Sequence, residues 1–184
     1  MRLTTGWSGA TYVTASSSTS RPAFRLASKF ALAALALAGA APAQSPRPFD
    51  PVAFFTGSTR GEGMLKELLG KAKHVQTASV GHVEKDGLLV LDQKVAVEGD
   101  PIRQRQWRLR PTAPGKYRGT LSDAKGPVEI DVGQLVQIRY VMTNGIRVEQ
   151  VLTPVPGGKA LDNRSTFHKF GMKVATLTER IEKR

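Results

Sequence analysis

The chain has 184 residues, no cysteine, and 27 lysines and arginines against 15 aspartates and glutamates, a formal net charge of +12. The absence of cysteine excludes disulfide staples and thiol catalysis. The length suits one domain, and the charge favours anionic partners such as lipid headgroups or acidic polymers over neutral ones.

Arg21, Arg25 and Lys29 precede an apolar run from Phe30 to Ala41, and Ala41-Pro42-Ala43 stands just before Gln44. A basic region, about a dozen apolar residues and a small-x-small site together predict a secretory signal peptide over residues 1–43. The run is shorter than the roughly 20 residues a membrane-spanning helix needs. Removing the four basic charges of this segment (Arg2, Arg21, Arg25, Lys29) takes the net charge from +12 to +8. The expected product is periplasmic and soluble, with no cysteine to carry a lipoprotein anchor.

Residues 44–53 read as an extended leader, because Pro46, Pro48 and Pro51 disfavour helix. A single domain is expected over residues 54–184. Phe54-Phe55 followed by Gly57 and by Gly61-Glu62-Gly63 suggests a strand entering a tight bend, where side chains would obstruct packing. Met64 to Lys73 suits one or two helical turns and equally a strand and loop; Gly70 limits any helix.

From Val75 the pattern is β. Val75–Glu84 and Leu88–Val97 flank Asp86-Gly87, and Glu98-Gly99-Asp100-Pro101 turns the chain into Arg103–Arg110, which Pro111 and Pro114-Gly115 end. Lys116–Leu121, Val128–Val132 and Leu135–Met142 follow. Asn144-Gly145 is the strongest hairpin signal, returning the chain through Ile146–Thr153. Lys173–Ile181 closes the chain as a last strand. Eight to ten short strands at this spacing predict an all-β antiparallel meander, and consecutive hairpins favour a barrel over a sandwich.

A two-residue loop at Asn144-Gly145 pairs Tyr140 with Glu149 and Ile138 with Val151. That register turns Val136, Ile138, Tyr140 and Val151 inward and Arg139 and Gln150 outward, with Met142, Arg147 and Glu149 at the mouth. Arg103, Arg105, Trp107 and Leu109 share one face of the central cationic strand. If Trp107 faces the interior, so does Arg105, and a buried guanidinium needs a carboxylate or an anionic ligand. Glu149, Asp123 and Asp162 are the candidate internal partners.

Other chemistry is poorly supported. His74, His82 and His168 have no ligand-spaced neighbour, so no metal site or cofactor is expected. There is no nucleophile elbow and no phosphate loop, and paired carboxylates cannot be placed by spacing alone. One aromatic on the cationic strand does not make a stacking platform for nucleic acid. Asn163-Arg164-Ser165 reads as a polar corner, with Arg164 paired to Asp162 or another carboxylate.

A set of short pieces runs in order from Phe54 to Thr178: Phe55-x-Gly57, Gly61-x-Gly63, Asp86-Gly87, Arg105-x-Trp107, Tyr117-x-Gly119, Asp123-Ala124-x-Gly126, Asn163-Arg164-Ser165 and Lys169-Phe170-Gly171. In these the chain resembles the bacterial envelope family known as domain of unknown function 3833. The resemblance implies a lipocalin-like (calycin-like) up-and-down β-barrel after a signal peptide, and it supplies no catalytic residues. The chain departs from that family's pattern in lacking the lipoprotein cysteine, and in its segments Asp92–Val97 and Val151–Leu161.

The leading expectation is an exported, non-enzymatic barrel that binds an apolar or anionic amphiphilic ligand such as a lipid. Trp107, Tyr140, Ile138 and Met142 would line its cavity, and Arg105 or Arg164 would meet the headgroup. The alternative is an accessory envelope protein with a solid core whose basic surface docks on a partner or membrane. Catalysis ranks last, for want of a convergent set of titratable groups.

Overall fold

The computed structural model describes residues 49–184. The expected signal peptide and residues 44–48 of the leader lie outside the described residues. The first element among the described residues is a short helix, α1 (Pro51–Phe55), where an extended leader and then a strand were expected. Asp50 explains it. Its carboxylate accepts from the backbone N–H of Val52 (2.9 Å) and of Ala53 (3.2 Å). Pro51 takes the first helical position, where its missing N–H costs nothing. At the far end Lys183 Nζ donates to the carbonyls of Ala53 (2.6 Å), Phe54 (3.1 Å) and Thr56 (2.9 Å). Phe54 is buried in the main core, so the helix plugs one end of the domain.

Ten strands come after it: β1 (Gly57–Glu67), β2 (Lys73–Val83), β3 (Leu89–Val97), β4 (Arg103–Ala113), β5 (Lys116–Leu121), β6 (Val128–Val132), β7 (Val136–Val141), β8 (Arg147–Pro154), β9 (Ala160–Lys169) and β10 (Met172–Lys183). Each pairs antiparallel with its neighbours in sequence, and β1 also pairs with β10, closing the barrel. Closure leaves no strand edge unpaired. The expected all-β up-and-down barrel is the observed fold.

Met64–Lys73 is strand and loop, not helix. The cationic strand runs through Pro111 to Ala113, with a register shift there that accommodates the proline. The polar corner expected at Asn163-Arg164-Ser165 is instead the middle of β9, a ten-residue strand.

The β7–β8 hairpin is paired one residue away from expectation. Met142 N–H donates to Ile146 O (2.7 Å) and Gly145 N–H to Met142 O (2.8 Å), so three residues form the loop, with Gly145 at φ 80°. A turn followed by a left-handed glycine is the usual three-residue hairpin connection. Tyr140 therefore pairs with Val148, Ile138 with Gln150 and Val136 with Leu152. Because side chains alternate with period two, the slip exchanges the faces of β8. Val148, Gln150 and Leu152 face inward, and Arg147, Glu149 and Val151 face outward.

In a meander the loops alternate between the two ends. The β2–β3, β4–β5, β6–β7 and β8–β9 loops lie at the α1 end; the other five lie at the opposite, open end. The main apolar core joins Phe54 to Leu89, Leu109, Ile130, Leu152, Leu161 and Ile181, among others, toward the α1 end. A smaller cluster of Val75, Val95 and Val97, with Leu65 and Leu177, lies toward the open end.

Candidate functional site: a cavity with one polar wall

Between these clusters the barrel encloses a cavity of about 560 Å³, bounded by Pro51 and Phe55 of α1 below and by Leu68, Leu69, Asn144 and Lys169 at the open end. That volume falls within the range of small-molecule sites, and the lining is mainly apolar. Its walls are unlike one another. Ile130, Ile138, Val136 and Leu152 make one side apolar. The other side carries a belt of polar side chains crossing β9, β10, β2, β3 and β4.

The belt consists of two hydrogen-bonded groups. The first surrounds Glu179, a buried carboxylate on β10. Thr77 Oγ1 donates to its Oε1 (2.5 Å) and Asn163 Nδ2 to its Oε2 (2.9 Å), while Ser165 Oγ donates to Asn163 Oδ1 (3.2 Å). No cation lies within ion-pair distance of Glu179 among the described residues. The space it fills exists because two facing positions on β1 lack side chains. A Cβ on Gly61 would stand 2.1 Å from Glu179 Oε1, and one on Gly63 would stand 2.1 Å from the Thr178 carbonyl.

The second group surrounds Arg105. Arg105 Nε donates to Gln93 Oε1 (2.7 Å), and Trp107 Nε1 donates to the same oxygen (3.2 Å). Gln93 Nε2 in turn donates to Ser79 Oγ (3.2 Å). The guanidinium carbon lies 5.4 Å from the Trp107 ring centroid, a cation–π distance. Trp107 meets Tyr140 edge to face, with centroids 5.6 Å apart. Of the three carboxylates expected near Arg105, Asp123 is the one that comes close, with Nη1 and Oδ2 3.8 Å apart. Its Oδ1 is buried and accepts no hydrogen bond. Glu149 faces outward beside Arg147, and Asp162 is paired with Arg180.

Arg105 therefore holds one strong side-chain hydrogen bond and one loose ion pair. A guanidinium carries five donors, and beyond Gln93, Asp123 and the neighbouring Tyr140 hydroxyl this one has donors to spare among the described residues. Burial pushes the Tyr140 phenol above its ordinary range, and the positive charge of Arg105 partly opposes this. Tyr140 is a neutral hydroxyl at physiological pH.

Arg105 and Trp107 of β4 and, from a distant part of the sequence, Tyr140 near the end of β7 and Met142 just past it border one cavity. Arg164 does not. Period-two alternation on β9 turns it outward between Asn163 and Ser165, which face in. Nor does Arg164 hold Asp162, which Arg180 takes at 3.0 Å. Sequence reasoning alone misses Glu179, Gln93, Thr77, Asn163 and Ser165. The one available signal is the pair of glycines at Gly61 and Gly63, two apart on a strand: side-chain space reserved for a neighbour. Among the described residues no cluster of three or more histidine or acidic side chains forms a metal-binding group.

The same barrel occurs in proteins of very different sequence. The S-type phycobiliprotein lyase CPES from Guillardia theta superposes with a TM-score of 0.58 at 7% identity, covering 72% of this chain and 90% of that one. A protein of unknown function from the DUF3598 family of Nostoc punctiforme also gives a TM-score of 0.58, at 12% identity, covering 77% of this chain but only 53% of that one. At such identities the likeness extends to the fold alone. No curated protein matches the chain in sequence. The family model for the proteins of unknown function DUF3833 matches residues 30–183, and the chain belongs to that family.

Proposed function

We propose that the protein is an exported binding barrel that holds a small anionic amphiphile without altering it. The tail would lie on the apolar wall formed by Ile138, Val136 and Leu152. The headgroup would take the uncommitted donors of Arg105, with Trp107, Tyr140 and Met142 packed around it. The observation that carries this reading is a cavity of about 560 Å³ in which a guanidinium, tied to Gln93 and only loosely to Asp123, faces apolar surface with donors to spare. A solid core would support the accessory-protein alternative, and a cavity of this size argues against it.

An enzyme reading draws on one observation, the lyase among the structural neighbours. Binding without chemistry is preferred because Glu179 is held by Thr77 and Asn163 in a network separate from Arg105 and Tyr140. Among the described residues no hydrogen bond joins Glu179 to Asp123 or Tyr140, the acid–base groups that flank Arg105.

Native mass spectrometry of the protein taken from the periplasm of its own cells tests the reading directly. Extra mass that leaves on denaturation, and that is chemically unchanged after prolonged incubation, is the expected result. Bare protein mass, together with Trp107 emission that no fatty acid or phospholipid in a panel perturbs, would sink it.

A further inference from the structure

The five most exposed large apolar side chains among the described residues all sit at the open end. They are Phe170 (89% exposed), Leu69 (87%), Leu68 and Ile102 (67% each) and Met172 (64%). They come from the β1–β2, β3–β4 and β9–β10 connections and the first residue of β10, which the meander brings to one rim. Toward the α1 end the exposed large apolar side chains are Val80 (58%), Val83 and Leu135 (42% each), all less exposed than these five. Scattered surface leucines need no explanation, but a one-sided concentration does.

Phe170 adds an independent sign. It is the only non-glycine residue with positive φ (51°) among the described residues, at the tip of the β9–β10 hairpin beside Gly171. Bulky residues rarely adopt that conformation, so strain is accepted there to hold an aromatic ring at the tip.

Lysines outnumber acids around these side chains. Lys66, Lys71, Lys125, Lys169 and Lys173 stand at the same end, and none is in an ion pair among the described residues. Lys169 Nζ lies 5.7 Å from the Phe170 ring. Of the acids here, Asp100 is paired with Lys73, Glu98 accepts from His74 N–H, and Glu67 stands beside Leu68 at the cavity mouth. Exposed apolar side chains fringed by lysines are what an interfacial membrane contact requires: the first enter the acyl boundary and the second meet anionic headgroups. Leu68 and Leu69 belong to this rim and to the cavity mouth at once.

We infer that the open rim is a docking surface for an anionic lipid bilayer, seated so that the cavity mouth faces the membrane. The inference goes beyond the ligand reading and stands or falls separately from it. A bound bilayer would let an amphiphile pass between membrane and cavity without crossing water.

Residues 44–184 form a compact unit that contains the whole closed barrel. They are the right test protein, because the apolar run before them would bind lipid by itself. Flotation with vesicles of phosphatidylglycerol and phosphatidylethanolamine, but not of phosphatidylcholine alone, is expected, and raised salt should weaken it. The double substitution Ile102→Asp with Phe170→Asp, at rim positions that do not line the cavity, should lower vesicle partitioning by about tenfold or more. Both positions are exposed, so the variant should keep the native emission of Trp107. Lys71→Glu with Lys173→Glu should abolish the preference for anionic lipid. Absence of flotation, equal flotation with both vesicle types, or flotation that the Ile102/Phe170 variant retains would overturn the inference; the last would place the lipid contact on the outer wall. A Trp107 response to monomeric fatty acid is read in the same samples, so loss of docking and loss of cavity binding are told apart.

Discussion

Gly61 on β1 and Glu179 on β10 are complementary in shape: the missing side chain of the first is the space occupied by the carboxylate of the second. A Cβ on Gly61 would approach Glu179 Oε1 to 2.1 Å and Thr77 Oγ1 to 2.4 Å. The obstruction is the far end of a flexible side chain. At Gly63 the nearest atom is instead a backbone carbonyl, that of Thr178. Gly61→Ala should therefore destabilise the barrel by about 1–3 kcal/mol in urea unfolding, and Gly63→Ala by at least as much. Adding Glu179→Ala should recover part of the loss at Gly61 and little at Gly63. Equal recovery at both positions would refute this account.

The carboxylate of Glu179 depends on neutral donors. Removing the Thr77 hydroxyl by Thr77→Val leaves Oε1 without its 2.5 Å hydrogen bond in a buried site. A hydrogen bond to a charged group contributes about 1.5–3 kcal/mol, and unfolding of the variant should show a loss of that order. A loss near zero would mean that water or a ligand reaches the carboxylate in solution.

Arg105 and Asp123 make opposite predictions for an anionic ligand. Arg105→Met keeps the length of the side chain and removes its donors, and should weaken binding of a fatty acid by about tenfold or more. Asp123→Asn removes a negative charge 3.8 Å from the guanidinium and should tighten the same binding. Trp107 emission reports both, since its indole shares Gln93 with Arg105. Tighter binding in the Arg105 variant would reverse the assignment of the headgroup site.

Tyr140 sets an alkaline limit. Burial raises its folded-state pKa above the ordinary 10.0. Above that pH the unfolded chain releases the proton while the folded chain retains it. Stability contributed by the neutral phenol is thus complete below pH 10.0 and declines as pH rises through the interval up to the raised value. Urea midpoints measured from pH 8 upward should fall faster for the natural protein than for Tyr140→Phe. Parallel curves would contradict the burial of the hydroxyl.

How far the site can be read from residues alone differs strand by strand. On β4, Trp107 and Leu109 alternate with Arg108 and Arg110, and the same period of two carried back along the strand makes the inward face of Arg105 legible. On β9 the inward residues include Asn163 and Ser165, which face the polar wall, so the apolar period that marks a strand is broken. A polar interior erases its own signal. The β7–β8 hairpin shows a different limit: Asn144-Gly145 marks the turn, but a two-residue and a three-residue loop differ by one position of register. Only the pairing partners settle that choice.

By itself, the sequence determined local matters: where the chain turns, which short segments extend, and that no thiol chemistry is available. Hairpin after hairpin, these made an antiparallel barrel the expected result. The tertiary structure decided everything that depends on distant residues meeting. Glu179 finds Thr77, which lies 102 positions away along the chain, and Arg105 finds Asp123 instead of Glu149 or Asp162. The physical reason is barrel closure. Pairing β1 with β10 sets which side chains share the interior, and a charge buried there must take its partners from that company.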